Sequence, residues 1–167
     1  TINSTSLELE KNSINNAVYH FNGVDDNISI DNTADFNFDN TDAFSIQAWI
    51  KSDLRGSPGM IISKIKHSAP YTGYEVFTNS LGEIGVYVIN DFDAKNYILL
   101  STEEKPLSDK KTHHVIVTYD GTSKASGINI FVDGTLYKHK ASSDNLTGSI
   151  KNSVSINIGS RNQECCY

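Results

Sequence analysis

Residues 43–51 read AFSIQAWIK. In an extended chain Phe44, Ile46, Ala48 and Ile50 fall on one side, and Ser45, Gln47, Trp49 and Lys51 on the other. The same two-residue period continues in GMIISKI (59–65), GYEVFTN (73–79), EIGVYVIN (83–90) and YILLS (97–101). It resumes in HHVIVTY (113–119), INIFVD (128–133), TLYKHK (135–140) and SVSINIG (153–159). These segments are short and rich in β-branched and aromatic residues, which suit a pleated surface. Turn signals separate them: Ser80-Leu81-Gly82, Asp120-Gly121 and Asp133-Gly134. The last is the sharpest, because a type I′ hairpin needs positive φ at both central residues. No segment carries a helix-length apolar stripe with a 3.6-residue period. The pattern predicts an all-β fold, an antiparallel two-sheet β-sandwich.

The chain has 167 residues and a formal charge of −6, enough for one domain with one sizeable core. Its 14 Lys and Arg are scattered, which argues against a nucleic-acid partner, whose phosphates need a basic stripe. No apolar run approaches the roughly 20 residues that span a bilayer. The chain opens on Thr1 and shows no signal-peptide pattern, which reads as a processed or excised piece of a longer protein. Cys165 and Cys166 are adjacent, too close to pair with each other without strain, so the core must supply the stability. Three Asn-x-Ser/Thr triplets, at Asn3, Asn27 and Asn145, carry little weight in so Asn-rich a chain. The loops TSKASGINI (122–130) and INDFDAKN (89–96) are too short to link domains.

The stretch FNGVDDNISI (21–30) packs Asn22, Gly23, Asp25, Asp26 and Asn27 between apolar residues. Two adjacent carboxylates repel unless a cation or N–H donors lie close. The stretch is therefore a solvated turn with Asx-type hydrogen bonds or half of a cation site.

Together the blocks AVYHFNGVDDNISI, FSIQAWIK, IISK, GYEVFTN, HHVIVTYDG, INIFVDGTL and SINIGSRN resemble the laminin-G-like, concanavalin A-like jelly-roll superfamily. Within it they are most similar to bacterial laminin-G and pentraxin-like modules. The resemblance runs from Ala17 to Asn162. It implies a β-sandwich domain over 16–167 that lacks its usual closing strand, with ligands met on the concave face or at the loops of one rim, while residues 1–15, opening TINSTSLELEKN, read as a loose lead-in or an edge strand. It also implies a structural Ca²⁺, with Asp25, Asp26 and backbone carbonyls near Gly23 as ligands. Calcium takes six to eight oxygens, so two carboxylates cannot complete such a site. Members of this family close with a further strand after the block IGSRN; here the chain ends in QECCY. The strand around Val18–Phe21 is then expected to show an open edge, which another domain or subunit could complete by β-augmentation.

In pentraxin-like relatives the loop after SINIG holds acidic calcium ligands. Here Arg161 stands at the first such position, which argues against a double-calcium site. Arg161, Asn162 and Gln163 remain candidate hydrogen-bonding partners for a ligand, or an ordinary rim loop. Trp49 is either a stacking platform for a sugar ring or a core residue on the second side of its strand. Tyr71 and Tyr74 are either rim contacts or packing residues. His113 and His114 start a strand that turns one ring inward and the other outward, with no nucleophile setting beside them. Glycoside hydrolysis needs two facing carboxylates at a fixed separation. The pairs Glu8/Glu10, Asp91/Asp93 and Glu103/Glu104 lie at a frayed start, in a loop or on opposite faces. The reading is a non-catalytic recognition module of a secreted or cell-surface protein that binds a glycan or glycoprotein. The alternative is a protein-interaction or structural module of an adhesin or appendage without a sugar site.

Overall fold

A computed structural model of the chain describes residues 2–3, 8–11, 17–31, 34–54 and 58–161. Its strands are β1 (Ile2–Asn3), β2 (Glu8–Lys11), β3 (Ala17–His20), β4 (Asn27–Ile30), β5 (Phe44–Lys51), β6 (Gly59–Ile65) and β7 (Gly73–Thr78). They continue as β8 (Ile84–Asp91), β9 (Asn96–Thr102), β10 (Thr112–Tyr119), β11 (Ile128–Val132), β12 (Thr135–Tyr137), β13 (His139–Asp144) and β14 (Ile156–Ile158). Two 3₁₀ turns, Ala34–Phe36 and Ala125–Gly127, complete the set. No helix among the described residues is long and apolar enough to cross a membrane.

Antiparallel pairing builds an eight-stranded sheet ordered β1-β4-β14-β6-β7-β8-β9-β13 and a four-stranded sheet ordered β12-β11-β10-β5. The two-residue period decides which side chains lie between them. From the large sheet come Val76, Val86, Val88, Ile98 and Leu100; from the small one come Phe44, Val115, Val117, Ile128 and Ile130. All are buried, and each such side chain contributes on the order of 1.5–3 kcal/mol relative to an exposed one. The fold is the expected two-sheet sandwich.

The Asp133-Gly134 hairpin forms as the sequence requires. Val132 faces Thr135, and φ is 51° at Asp133 and 80° at Gly134. TLYKHK, however, is not one strand. Thr135–Tyr137 stays in the small sheet, whereas His139–Asp144 pairs with β9 in the large one. Between them Lys138 accepts a hydrogen bond from the Glu103 amide through its carbonyl, 3.0 Å away.

The lead-in also pairs. Ile2 faces Ile28, and Glu8–Lys11 forms a separate two-stranded ribbon with Ala17–His20. The open edge expected at Val18–Phe21 is therefore occupied along Val18–His20 by β2. Among the described residues the unflanked edge of the small sheet falls instead on β5 and β12.

Candidate ligand-binding cleft

The outward face of the large sheet is built by the residues that alternate with the core. Register aligns Ser63, Glu75, Tyr87 and Leu99 across β6–β9, and beside them Ile65, Gly73, Ile89 and Tyr97. Gly73 is obligatory in this second row. Its φ is 143°, and a Cβ there would lie 1.9 Å from the Lys64 carbonyl oxygen. Two loops rise over the same end of the sheet and meet where the Phe92 amide donates to the Pro70 carbonyl at 2.9 Å. Tyr71, at φ 60°, is held in the left-handed region that a non-glycine residue rarely enters.

The result is an aromatic cleft of about 400 Å³. Phe92 stacks on Tyr97 with centroids 5.2 Å apart and meets Tyr71 edge-on at 6.0 Å. Tyr87 joins both Phe92 and Tyr97 edge-on, and Phe77, lying over Gly85, stacks against Tyr87. Ile65 and Ile89 form the floor, while Asp93 and Arg161 bring charge to the wall. Tyr71 and Phe92 are 38% and 40% exposed, so solvent reaches their rings. Apolar faces beside a few polar groups are the usual make-up of a small-ligand site.

Arg161 is fixed from below. Its Nη2 and Nε donate to Glu75 Oε1 and Oε2 at 2.6 and 2.9 Å. Ser63 Oγ adds a third hydrogen bond to Oε2 at 3.2 Å. Glu75 is 1% exposed; an isolated carboxylate there would carry a heavy desolvation cost, which the bidentate fork offsets. Burial first, and then the neighbouring Tyr97 and Glu75, push the Tyr87 phenol above its ordinary pKa. Tyr87 therefore stays a neutral hydroxyl at physiological pH.

Tyr71 and Arg161, separate candidates in the sequence, thus share one cleft. Tyr74 does not join them, and its reading as a rim contact is corrected. The alternation that sends Val76 inward sends Tyr74 with it, to 3% exposure. Its ring packs on Phe44 and Phe38, and its hydroxyl donates to the Phe36 carbonyl at 3.0 Å. Trp49 departs from the core reading in the opposite sense. It is 71% exposed on the outer face of the small sheet, stacked on His114 at 4.7 Å and 16°. It lies across the sandwich from the cleft and contributes nothing to it. Asn162 and Gln163 lie outside the described residues, as do Cys165 and Cys166.

The Asn22–Asn27 stretch folds as an Asx knot. Asn22 Oδ1 accepts from the amides of Val24, Asp25 and Asp26, while Asp26 Oδ2 accepts from the Asn22 amide. Asp25 Oδ1 takes the Asn22 side-chain amide at 2.8 Å. Gly23 supplies the positive φ, 72°. The donors of Asn22 therefore answer the repulsion between the two carboxylates. Oxygen acceptors are nevertheless left over next to the knot: Asn27 Oδ1, Asn157 Oδ1 and Ser160 Oγ are buried without a hydrogen-bond partner. Gly159 ties this group to the knot, since a Cβ there would lie 3.3 Å from the Asp26 carbonyl oxygen. An all-oxygen donor set of this kind fits a hard cation such as Ca²⁺. No cluster of three or more His, Cys, Asp or Glu side chains that could hold a metal ion occurs among the described residues, so a cation here would depend on amide, hydroxyl and backbone oxygens beside the two carboxylates.

His113 and His114 take the alternating orientations read from the sequence. His113 is clamped between Asp133 Oδ2 at 2.6 Å and Asp109 Oδ1 at 2.8 Å.

A family model described as the concanavalin A-like lectin/glucanases superfamily, of laminin-G type, matches residues 22–166. The chain belongs to this superfamily. No curated protein matches it. Among solved structures, domains LG4-5 of the mouse laminin alpha1 chain are similar, with a TM-score of 0.48 and 15% identity. That match covers 75% of this chain, which spans only 30% of the laminin chain. Members of a superfamily that includes glucanases need an accessible carboxyl pair to hydrolyse a glycoside. Glu75, sealed from solvent and committed to Arg161, offers no such group to a glycosidic oxygen. Glu75, Tyr87, Phe92 and Tyr97 were not singled out from the sequence, and Asp93 was weighed only as half of the Asp91/Asp93 carboxylate pair. One signal was available: Glu75 is the only charged residue inside the otherwise uncharged run GYEVFTN.

Proposed function

We propose that this laminin-G-like domain is a non-catalytic glycan-recognition module of a secreted or cell-surface protein, and that its ligand lies in the aromatic cleft. The observation that carries the reading is the meeting of two exposed rings, Tyr71 and Phe92, with the held guanidinium of Arg161 and the exposed carboxylate of Asp93. Rings of this kind cover the apolar face of a pyranose, while neighbouring polar groups reach its hydroxyls. A glycan array tests it. Specific hits, lost in Tyr71→Ala and Phe92→Ala variants that still melt cooperatively, support the proposal. An array without hits, or hits indifferent to both substitutions, overturns it.

We also propose that Ca²⁺ stabilises the fold at the Asx knot, through the Asp26 carboxylate, carbonyls beside Gly23 and the unpartnered oxygens of Asn27 and Ser160. Asp25, on the exposed side of the knot, adds the second carboxylate. Bound only by the native state, the ion raises the melting temperature by mass action. Calcium should raise it and EDTA should reverse the gain, with the response strongly reduced in Asp26→Asn. An identical melting temperature with calcium and with EDTA contradicts the site.

A second reading has its own support. The unflanked edge of β5 and the exposed Trp49 and Leu136 on the outer face of the small sheet suit attachment of another domain or subunit by β-augmentation. Binding of a protein partner that is blocked by Trp49→Ser and untouched by Tyr71→Ala would favour this interaction module over the glycan module.

A further inference from the structure

We infer that the cleft selects neutral saccharides and discriminates against sulfated or carboxylated ones; this rests on the glycan-binding reading above and names the class of glycan. The charges at the cleft decide it. Among the described residues Arg161 is the one cation on the lining, and it is not presented as a bare positive charge. Its guanidinium is gripped in bidentate fashion by Glu75, so the two side chains form a neutral unit at the sheet surface. Glu75 belongs to the sheet itself and is 0% exposed through its side chain. An arriving anion therefore cannot take over Arg161 without leaving a carboxylate buried and unpaired.

The other charged lining group, Asp93, is acidic and exposed on the turn between β8 and β9. With the ion pair neutral, the described lining residues carry the single negative charge of Asp93, within a chain of net charge −6. A sulfate or carboxylate on the ligand meets repulsion there, and among the described lining residues the one cation is already neutralised by Glu75. The hydroxyls of a neutral ring meet a carboxylate acceptor at Asp93 and the Tyr87 phenol, which keeps its proton. The apolar ring face meets Phe92 and Tyr71. A unit charge placed about 5 Å from Asp93 at the protein–water boundary is disfavoured by about tenfold in affinity.

The experiment is an array of oligosaccharides in matched pairs, each backbone carried unsubstituted and O-sulfated, probed with the whole chain. The expected result is binding to unsubstituted members and at least roughly tenfold weaker binding to their sulfated partners. The gap should narrow at about 0.5 M NaCl, where exposed charges are screened. Asp93→Lys replaces the exposed acid by a base at a turn outside the core, and its melting curve reports that it still folds. In this variant the preference should collapse or reverse. Sulfated members bound as well as or better than their partners overturn the inference while leaving glycan binding intact. A discrimination ratio unchanged in Asp93→Lys or by salt overturns it as well. An array with no hit of either kind removes the inference together with the glycan-binding reading.

Discussion

Lys64 has one of the largest fully buried side chains in the domain, at 1% exposure. Its ammonium donates to the Asn152 carbonyl at 2.9 Å, to Asn152 Oδ1 at 2.8 Å and to the Val154 carbonyl at 3.0 Å. All three acceptors are neutral. The hydrogen bonds are complete but the charge is desolvated, and burial lowers the Lys64 pKa to about 8 from 10.5. Between those two values the unfolded chain binds the extra proton, so stability rises with pH. The full interval corresponds to about 3.4 kcal/mol at roughly 1.36 kcal/mol per pH unit. Integrated from pH 8 to pH 9.5, the gain is about 1.5 kcal/mol. Lys64→Met keeps most of the volume and does not titrate. Urea unfolding of both proteins at the two pH values isolates the effect, because tyrosine and histidine ionisation is common to both. The stability difference should move by about 1.5 kcal/mol in favour of the native protein at the higher pH. A difference that stays constant to within about 0.3 kcal/mol would refute a desolvated ammonium. The site matters for the cleft because Lys64 and Asn152 clamp the strand end that carries Ile65 and Gly73.

Glu75→Gln should cost roughly 1–3 kcal/mol in urea unfolding, because it removes the buried carboxylate that the partly exposed Arg161 guanidinium grips, and Glu75→Met with Arg161→Met should recover most of that loss. Hydrogen bonds that His113 donates to Asp109 first, and then to Asp133, raise the His113 pKa above its usual 6.5, and the same contact with His113 holds Asp109 down at about 2. The His113 contribution is present below pH 6.5 and fades as pH rises through its folded pKa. Melting temperatures between pH 5.5 and 8 should therefore decline more in the native protein than in His113→Gln. The Asp109 contribution is present above its usual 3.8 and is lost as pH falls toward 2, so acid titration of Asp109→Asn should show a flatter melting profile over that range. Gly85→Ala brings a methyl carbon to 2.2 Å from the Phe77 ring and must displace it. Calorimetry should show a loss of roughly 1–3 kcal/mol, and saccharide titration should show weaker binding as Tyr87 loses its stacking neighbour.

The two-residue period made most of the sandwich readable: the apolar face named in β5 faces the core, and the same alternation carries Val115 and Val117 of β10 and Ile128 and Ile130 of β11 inward. The hairpin at Asp133-Gly134 was readable because its φ values are a local requirement. Trp49 was not, since alternation says only that it lies opposite Phe44. Whether a second layer covers that side depends on what packs outside the small sheet. Tyr74 could have been placed correctly by following the alternation of GYEVFT from Val76. The break in TLYKHK was hidden because the residues on both sides of Lys138 favour strands, and only tertiary pairing with β9 draws His139 away. The cleft itself was half legible. Tyr71 and Arg161 were named separately, but the Arg161–Glu75 pair spans 86 residues and the ring cluster joins three strands to a turn. Neither arrangement has a local signature.

The claim on which the rest depends is that a ligand meets the outward face of the eight-stranded sheet. An NMR titration of the labelled domain with an unsubstituted oligosaccharide from the array tests it most directly. The account predicts amide and ring shifts confined to Tyr71, Tyr87, Phe92, Asp93 and Tyr97, with Trp49 and His114 unmoved. Shifts centred on Trp49 and His114, with the cleft silent, would contradict it.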